Sequence, residues 1–471
     1  MLTHLHLKNF KGWRDTGPVP LKPLTILFGT NSGGKSSIEQ FFLMLKQTVD
    51  STDRRLVLHA GDEKSPVNLG SYDEFIYRRN PQHRLFFDFS WDLNESLVVE
   101  NSETRAKVDG NQMTFTAEIG KGGEKQELTL VNYFEYQLGT ASNPASLRLR
   151  LERKPSSKPE YKLEAVGYEL KRKVMRGWPL GAPMKFYGFP DEVGTYFQNP
   201  EFLQDFSLRL ERLFRSVCYL GPLRSRVERL YPWTGSEPES VGYEGAQTIS
   251  ALLAAKDRKI NYRPHQHRRS LATVVAEQLK NLSLIHDFQV KPMSAGQKIY
   301  EVKLKISPAS DWVDLPDVGF GISQVLPVIV QSFYAPANSI LFIEQPELHL
   351  HPRAQANLAD VLIDALNSRQ EGEHRNLQLI IETHSEHFLN RLQRRIAEAS
   401  PEHAIRADQV AAYFAEVRGE ESKLTRLEID LYGNIVNWPE DFFGNSMGEL
   451  MAMQKAASDR RIMESESAAA Q

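Results

Sequence analysis

Residues Gly29-Thr30-Asn31-Ser32-Gly33-Gly34-Lys35-Ser36 fit the pattern G-x-x-x-x-G-K-[ST], and an apolar run from Leu24 to Phe28 leads directly into them. A helix-like segment, Ser37 to Leu45, follows. Strand, loop and helix in that order are what a phosphate-binding loop requires, so the fold must seat a buried strand before the loop and a helix after it. The glycines let backbone N–H groups curl around a β-phosphate at the positive end of the helix. Lys35 would reach the β- and γ-phosphates, and the Ser36 hydroxyl would ligate Mg²⁺. Gly29, Asn31, Gly33, Gly34 and Ser37 complete the candidate nucleotide contacts. The competing reading, a Gly/Ser turn that matches by accident, does not explain a strand and a helix in register on either side.

At 471 residues the chain exceeds what one core usually supports, so two or more packed lobes are expected. No apolar run approaches the roughly 20 residues that span a bilayer. The N-terminus alternates apolar and polar residues, as a strand does and a signal peptide does not. A single cysteine, Cys218, excludes an intrachain disulfide framework and fits a reducing cytoplasm. The net charge of −3 gives no global pull toward nucleic acid, so any DNA contact must come from local patches.

Short β-like runs from about Arg84 to Leu170, separated by polar and glycine-containing loops, read as an antiparallel meander. Helical patterns follow at Pro200 to Phe214, Ser250 to Ala255 and Leu271 to Leu284, with strands at Asp287 to Val290 and Tyr300 to Ile306. The second half then alternates helix (Ile322 to Ser332), strand (Ser339 to Ile343), helix (Ala354 to Asn367), strand (Leu377 to Glu382) and helix (Glu386 to Ala399). That order indicates a parallel sheet with helical crossovers. The expected division is an N-terminal lobe with the phosphate loop (1–80), a β-rich insertion with a helical segment (81–215), a helical and basic segment with strands (216–310), a C-terminal lobe (311–445) and a flexible tail (446–471).

The C-terminal lobe supplies the rest of a nucleotide site. Ser339-Ile-Leu-Phe-Ile-Glu344 is an apolar strand ending in an acid, where a P-loop ATPase places the carboxylate that holds the Mg²⁺ water shell. Leu377 to Ser385 is a second buried strand, ending in His384, which can hydrogen-bond the γ-phosphate or the attacking water. Asp317-Val-Gly-Phe-Gly321-Ile-Ser323-Gln puts small residues and a serine at a helix N-terminus, a second anion cradle. One phosphate loop needs one cradle for its own nucleotide, so the second makes sense over a nucleotide held by another subunit.

These boxes, in this order, resemble ABC-type ATPases of the SMC and RecF group. Glu344-Gln-Pro-Glu-Leu-His-Leu-His351-Pro352 is closer to the E-x-P-E-x-H-L-H-P box of overcoming-lysogenization-defect (OLD)-like ATPases. Tyr219-Leu-Gly-Pro-Leu-Arg224 and Tyr432-Gly-Asn-Ile-Val-Asn-Trp-Pro-Glu-Asp-Phe-Phe443 resemble boxes of bacterial ATPases that serve anti-phage systems of the PARIS or Septu kind. The resemblance covers most of the chain and is weakest from Asn80 to Leu210. It implies an α/β, ABC-type P-loop ATPase head with a mixed sheet, a β-rich insertion and a helical subdomain. It also implies ATP and Mg²⁺ as cofactors, and a head-to-tail homodimer, alone or in a larger assembly of dimers. Gly321 and Ser323 would touch the partner's nucleotide, His384 would be the switch histidine, and Lys11 would lie near the nucleotide. Gln47 is the candidate Q-loop residue.

The family pattern places a catalytic Glu after the Mg²⁺-associated acid; here that position is Gln345. An amide orients a water but accepts no proton at neutral pH. Hydrolysis should then be slow, with Glu347 as the substitute base. His349, His351, His384 and His387 have metal-like spacings, yet the ATPase reading already uses three of them. The segment after His384 lacks the Asp-x-Asp cluster of a Toprim nuclease, so an OLD-like nuclease in this chain is disfavoured. The expected role is a sensor or scaffold ATPase controlling a separately encoded nuclease or toxin. A RecF-like clamp is the alternative, with Lys171 to Lys173, Arg224 to Arg229 or Lys256 to Arg269 contacting DNA phosphates.

Overall fold

The computed structural model describes residues 1–100, 107–122, 128–140, 142–156, 159–173, 178–263, 267–294, 298–439, 442–444, 451–458 and 460. The chain opens with β1 (Leu2–Phe10), then β2 (Leu24–Gly29) and helix α1 (Lys35–Asp50). Five antiparallel strands follow: β3 (Leu85–Glu100), β4 (Lys107–Gly122), β5 (Leu128–Thr140), β6 (Asn143–Arg153) and β7 (Tyr161–Val166). Helix α2 (Glu201–Arg215) leads into β8 (Val217–Leu220). Helices α3 (Thr248–Ala254) and α4 (Leu271–Asn281) and the hairpin β9 (Asp287–Pro292) and β10 (Ile299–Lys305) make a side subdomain. The rest alternates: α5 (Phe320–Tyr334), β11 (Ile340–Glu344), α6 (Pro352–Leu366), β12 (Gln378–Glu382), α7 (Glu386–Glu398), β13 (Val410–Arg418) and β14 (Glu421–Leu427).

The central sheet has the order β8-β11-β12-β2-β13-β14; the first five strands are parallel and β14 closes the edge antiparallel. Parallel strands covered on both faces carry apolar residues at nearly every position. Here the alternation sorts them between two cores. Leu27, Ile340, Phe342, Ile380 and Tyr413 join one, while Ile26, Phe28, Leu341, Ile343, Ile381 and Phe414 join the other.

Helix α1 is packed on both sides. Phe42 meets Phe342 of β11 at 5.5 Å, and Phe41 meets Phe87 of β3 at 5.0 Å. The meander is therefore a wall over the phosphate-loop helix. Its aromatic centre is Phe115, fully buried, with the rings of Phe89, Tyr136 and Phe186 within 5.7 Å.

The fold class is as expected: α/β with a mixed sheet, a β-rich N-terminal insertion and a helical part. The strand assignments hold throughout the meander and the parallel sheet. Two expected boundaries cut through sheets. A division at residue 80 separates β1 from its direct partner β3, because the insertion extends the sheet that β1 begins. The 216–310 segment starts with β8, a strand of the central sheet paired with β11. Of the tail, residues 451–458 are helical and exposed; its remainder, and residues 264–266 of the basic run, lie outside the described residues, save residue 460. No described helix is long and apolar enough to cross a membrane.

Truncating a large aromatic at a core centre costs roughly 3–5 kcal/mol. Phe115→Ala should lower the unfolding midpoint in denaturant accordingly; a midpoint equal to wild type would contradict the placement of this ring.

Candidate functional site

The phosphate loop owes its shape to close backbone approaches. Thr30 N–H donates to the Ala415 carbonyl of β13 at 3.0 Å. A Cβ at Gly29 would lie 1.9 Å from that oxygen, and one at Gly33 2.5 Å from it. Gly34 has φ 96°, a conformation L-residues rarely adopt, and caps the N-terminus of α1. Beneath it, fully buried Trp13 donates from Nε1 to the Gly34 carbonyl at 3.1 Å. Asn31 and Ser32 are exposed, and Ser37 is partly buried at the first turn of α1.

Parallel pairing delivers the acids. Glu344 and Glu382 are register partners at the ends of β11 and β12, and Glu382 is opposite Leu27 just before the loop. Ser36 Oγ donates to Glu382 Oε2 at 2.7 Å, and Lys35 Nζ lies 3.9 Å from Glu382 Oε1. Lys35 folds back on its own loop, donating to the Gly29 and Thr30 carbonyls at 3.2 and 2.8 Å. Burial lowers the Lys35 pKa, with Glu382 opposing, and burial pushes Glu382 up to about 7. The sequence gives Glu344 the role of the acid beside Ser36; in the structure the acid bonded to Ser36 is Glu382, with Glu344 one strand further away.

Glu344 is held from the other side. Tyr219 Oη donates to its Oε1 at 2.8 Å, and Arg224 Nη2 donates to its backbone carbonyl at 3.2 Å. Both come from the Tyr-Leu-Gly-Pro-Leu-Arg box, which thereby gains a location beside the acidic strand. Burial lowers Arg224 to about 10, still a cation at neutral pH, and its Nε and Nη1 find no partner.

Glu39 is fully buried, one helical turn after Lys35 on the same face of α1. Its carboxylate, Glu344 and Glu382 each offer an oxygen, and these oxygens all lie within 4.8 Å of one another. Burial first, then the charges of Glu344 and Glu382, hold Glu39 well above the usual carboxylate range. No protein donor reaches either Glu39 oxygen; holding a proton, Glu39 bonds to Glu344. A buried polar group without a partner costs roughly 1–3 kcal/mol, and a charged one more.

The loop after β11 carries the other candidate residues. Gln345 is in the left-handed region (φ 44°), and its N–H is tied to the Glu382 carbonyl at 2.7 Å. Glu347 is buried; its Oε1 accepts the His384 N–H at 2.8 Å and its Oε2 is unpartnered. Burial raises its pKa. The His384 ring is exposed at the rim, and partial burial followed by the Lys35 charge lowers its pKa. The structure thus brings Lys35, Ser36, Glu344, Glu347 and the His384 backbone into one neighbourhood.

Gly321 and Ser323 lie elsewhere in that neighbourhood's frame. Ser323 is buried and donates to the Phe320 carbonyl of its own helix at 2.6 Å. A Cβ at Gly321 would meet the His349 carbonyl at 2.8 Å, and Phe320 packs edge-on against the His349 ring. The start of α5 is therefore seated on the loop after β11, with Phe320 60% exposed. Lys11 Nζ donates to Gln40 Oε1 on α1. Gln47 lies three turns along α1, roughly 18 Å from Lys35. Its amide is spent on the His59 carbonyl and the Val67 N–H, away from the phosphate loop. His351 caps α6 through Arg353 N–H. The cluster of possible metal ligands among the described residues is the glutamate trio, with no histidine in it.

Sequence reasoning missed Glu39, Glu382 and Trp13. Glu382 had a signal, an acid ending a buried strand just before Thr383-His384. Its reach to Ser36 depends on β12 being next to β2, which one sequence does not state. Gly33→Ala should displace the loop from Ala415 and weaken nucleotide binding at least tenfold, read with a fluorescent ATP analogue; unchanged affinity would contradict the close approach.

Residues 244–389 match the family model described as an AAA ATPase domain, and residues 405–453 match one described as a protein of unknown function (DUF3696). The chain is 20% identical over 400 residues to an "ATP/GTP phosphatase" of Helicobacter pylori, covering 84% of this chain and 89% of that protein. Similar solved structures include an SMC head bound to the C-winged helix domain of ScpA (TM-score 0.40, 12% identity, 91% of this chain and 98% of that one). Another is the SMC head domain from Thermotoga maritima (TM-score 0.37, 12% identity, 91% and 99% covered). The chain has an α/β fold with a mainly parallel central sheet, and its residues 244–389 match an AAA ATPase domain.

Proposed function

We propose that the chain binds ATP·Mg²⁺ at residues 29–37 and the ends of β11 and β12, and hydrolyses the nucleotide slowly. The convergence of Lys35 and Ser36 with Glu382, Glu344, Glu347 and His384 carries the reading. Lys35 and the loop N–H groups would hold the phosphates. Ser36 would ligate Mg²⁺, which supplies charge neutralisation at the β- and γ-oxygens when bound. The donors fit: a hydroxyl and carboxylates are the hard oxygen ligands Mg²⁺ takes. The H. pylori relative described as an ATP/GTP phosphatase supports nucleoside triphosphate hydrolysis.

Glu347 is the general base in this reading. Burial raises its pKa against the bond from the His384 backbone N–H, which lowers it, and its second oxygen is free beside the switch histidine. Gln345, at the position where the resemblance places a base, orients water without taking its proton. ATP therefore stays bound for long periods. Gly321 and Ser323, at an exposed helix start seated on the same loop, would cap the nucleotide of a second copy of the chain. The closed dimer is the signalling state, and its output is a changed grip on a separately encoded nuclease or toxin, as in the anti-phage ATPases whose boxes this chain resembles.

Lys35→Ala should abolish ATP binding. Glu347→Gln should keep ATP bound and cut turnover by roughly 10²–10⁴, while Gln345→Glu should raise it. Turnover unaffected by Glu347→Gln contradicts the base assignment. With ATP·Mg²⁺, light scattering should show Glu347→Gln doubling in mass and Ser323→Arg remaining single; equal masses contradict the shared site. Co-purification of a protein encoded next door would support the defence role, whereas ATP-dependent, salt-sensitive DNA binding alone would replace it with the clamp.

A further inference from the structure

The glutamate trio is more acidic than a nucleotide site requires. An ATP-borne Mg²⁺ already finds Ser36, and the acids at the strand ends suffice for its water shell. Glu39 adds a third carboxylate from a third element, α1, with no access to solvent. None of the nearby cations donates to Glu39, although Lys35 Nζ lies 3.9 Å from Glu382 and Arg224 keeps Nε and Nη1 unpartnered. Lys35 gives its hydrogens to the Gly29 and Thr30 carbonyls, Lys11 to Gln40, and Arg224 to the Glu344 carbonyl. The neutral donors reach only two of the three acids: Tyr219 serves Glu344 and Ser36 serves Glu382. Glu39 is left with two buried oxygens and no donor, facing two other carboxylates.

We propose that Glu39, Glu344 and Glu382 form a divalent-cation site that fills in the absence of nucleotide. Oxygens no more than 4.8 Å apart can surround one ion at the roughly 2.0–2.6 Å bond lengths of Mg²⁺ and Ca²⁺. An all-carboxylate donor set selects hard ions, Mg²⁺, Mn²⁺ or Ca²⁺, over zinc or copper. One ion takes the place of the proton between Glu39 and Glu344 and neutralises the repulsion among the three acids. It also ties α1, β11 and β12 together, so the phosphate loop and the acidic strand ends are held in register before ATP arrives. The site shares Glu344 and Glu382 with the surroundings of the nucleotide's Mg²⁺ and differs from it in using Glu39 and filling without nucleotide, so it needs neither the ATPase reading nor the dimer to be correct.

The test uses the full chain, stripped of nucleotide and metal, titrated with MnCl₂ and read by the electron paramagnetic resonance signal of free Mn²⁺. Wild type should bind one Mn²⁺ per chain, and Glu39→Gln should bind at least tenfold more weakly. Gln keeps the shape of Glu39 and can still donate to Glu344, so metal-free Glu39→Gln should melt no lower than wild type. If that variant does not fold, Glu382→Gln is read in its place, with the same tenfold loss expected. Absence of Mn²⁺ binding by nucleotide-free wild type, or equal affinity in the variant read, overturns the proposal. A fluorescent ATP analogue, titrated in parallel, separates the two readings. ATP bound without nucleotide-free Mn²⁺ sinks the cation site alone, and Mn²⁺ bound without ATP sinks the ATPase reading alone.

Discussion

The bond from Ser36 to Glu382 joins residues 346 positions apart in the chain. It exists because β12 runs parallel to β2 and brings Glu382 level with Leu27, at the edge of the phosphate loop. Everything else in the site is referenced to that pairing. On the far side of β12, the same parallel register sets Glu344 beside Glu382. The loops that leave the two strands then carry Gln345 and Glu347 on one and His384 on the other. Short side chains thereby meet although no two of these segments are neighbours in sequence.

The cost of this arrangement is a concentration of buried acid. Glu382, Glu344, Glu347 and Glu39 all have raised pKa values, and burial is the leading cause for each. Their differences lie in their partners. Glu382 and Glu344 each have a hydroxyl donor, and Glu347 has a backbone N–H on one oxygen only. Glu39 has no donor at all. A half-satisfied carboxylate beside His384 suits proton transfer, and an unsatisfied one among other acids suits a cation.

The architecture was largely legible in the sequence. Alternation of apolar strands with helical patterns gave the parallel sheet, because strands buried on both faces are apolar throughout and their crossovers are amphipathic. The glycine-lysine-serine loop was legible because its chemistry fixes both residue types and spacing. What the sequence hides is adjacency. Glu39, in Ser-Ser-Ile-Glu-Gln, reads as the polar face of a helix, and only the seating of α1 against the ends of β11 and β12 shows that this carboxylate is enclosed. Glu382 reads as a strand end until the order β12-β2 is known. Gln47 looks like a candidate by its type alone; helix geometry carries it three turns from the loop.

The most direct measurement is a crystal structure with a non-hydrolysable ATP analogue and Mn²⁺, using anomalous scattering to locate the metal. The analogue's β- and γ-phosphates should lie in the loop of residues 29–36, with Mn²⁺ at Ser36 and Glu347 within hydrogen-bond reach of a water in line with the γ-phosphate. A nucleotide bound away from this loop, or a loop still filled by Lys35 at saturating analogue, would contradict the assignment of the site.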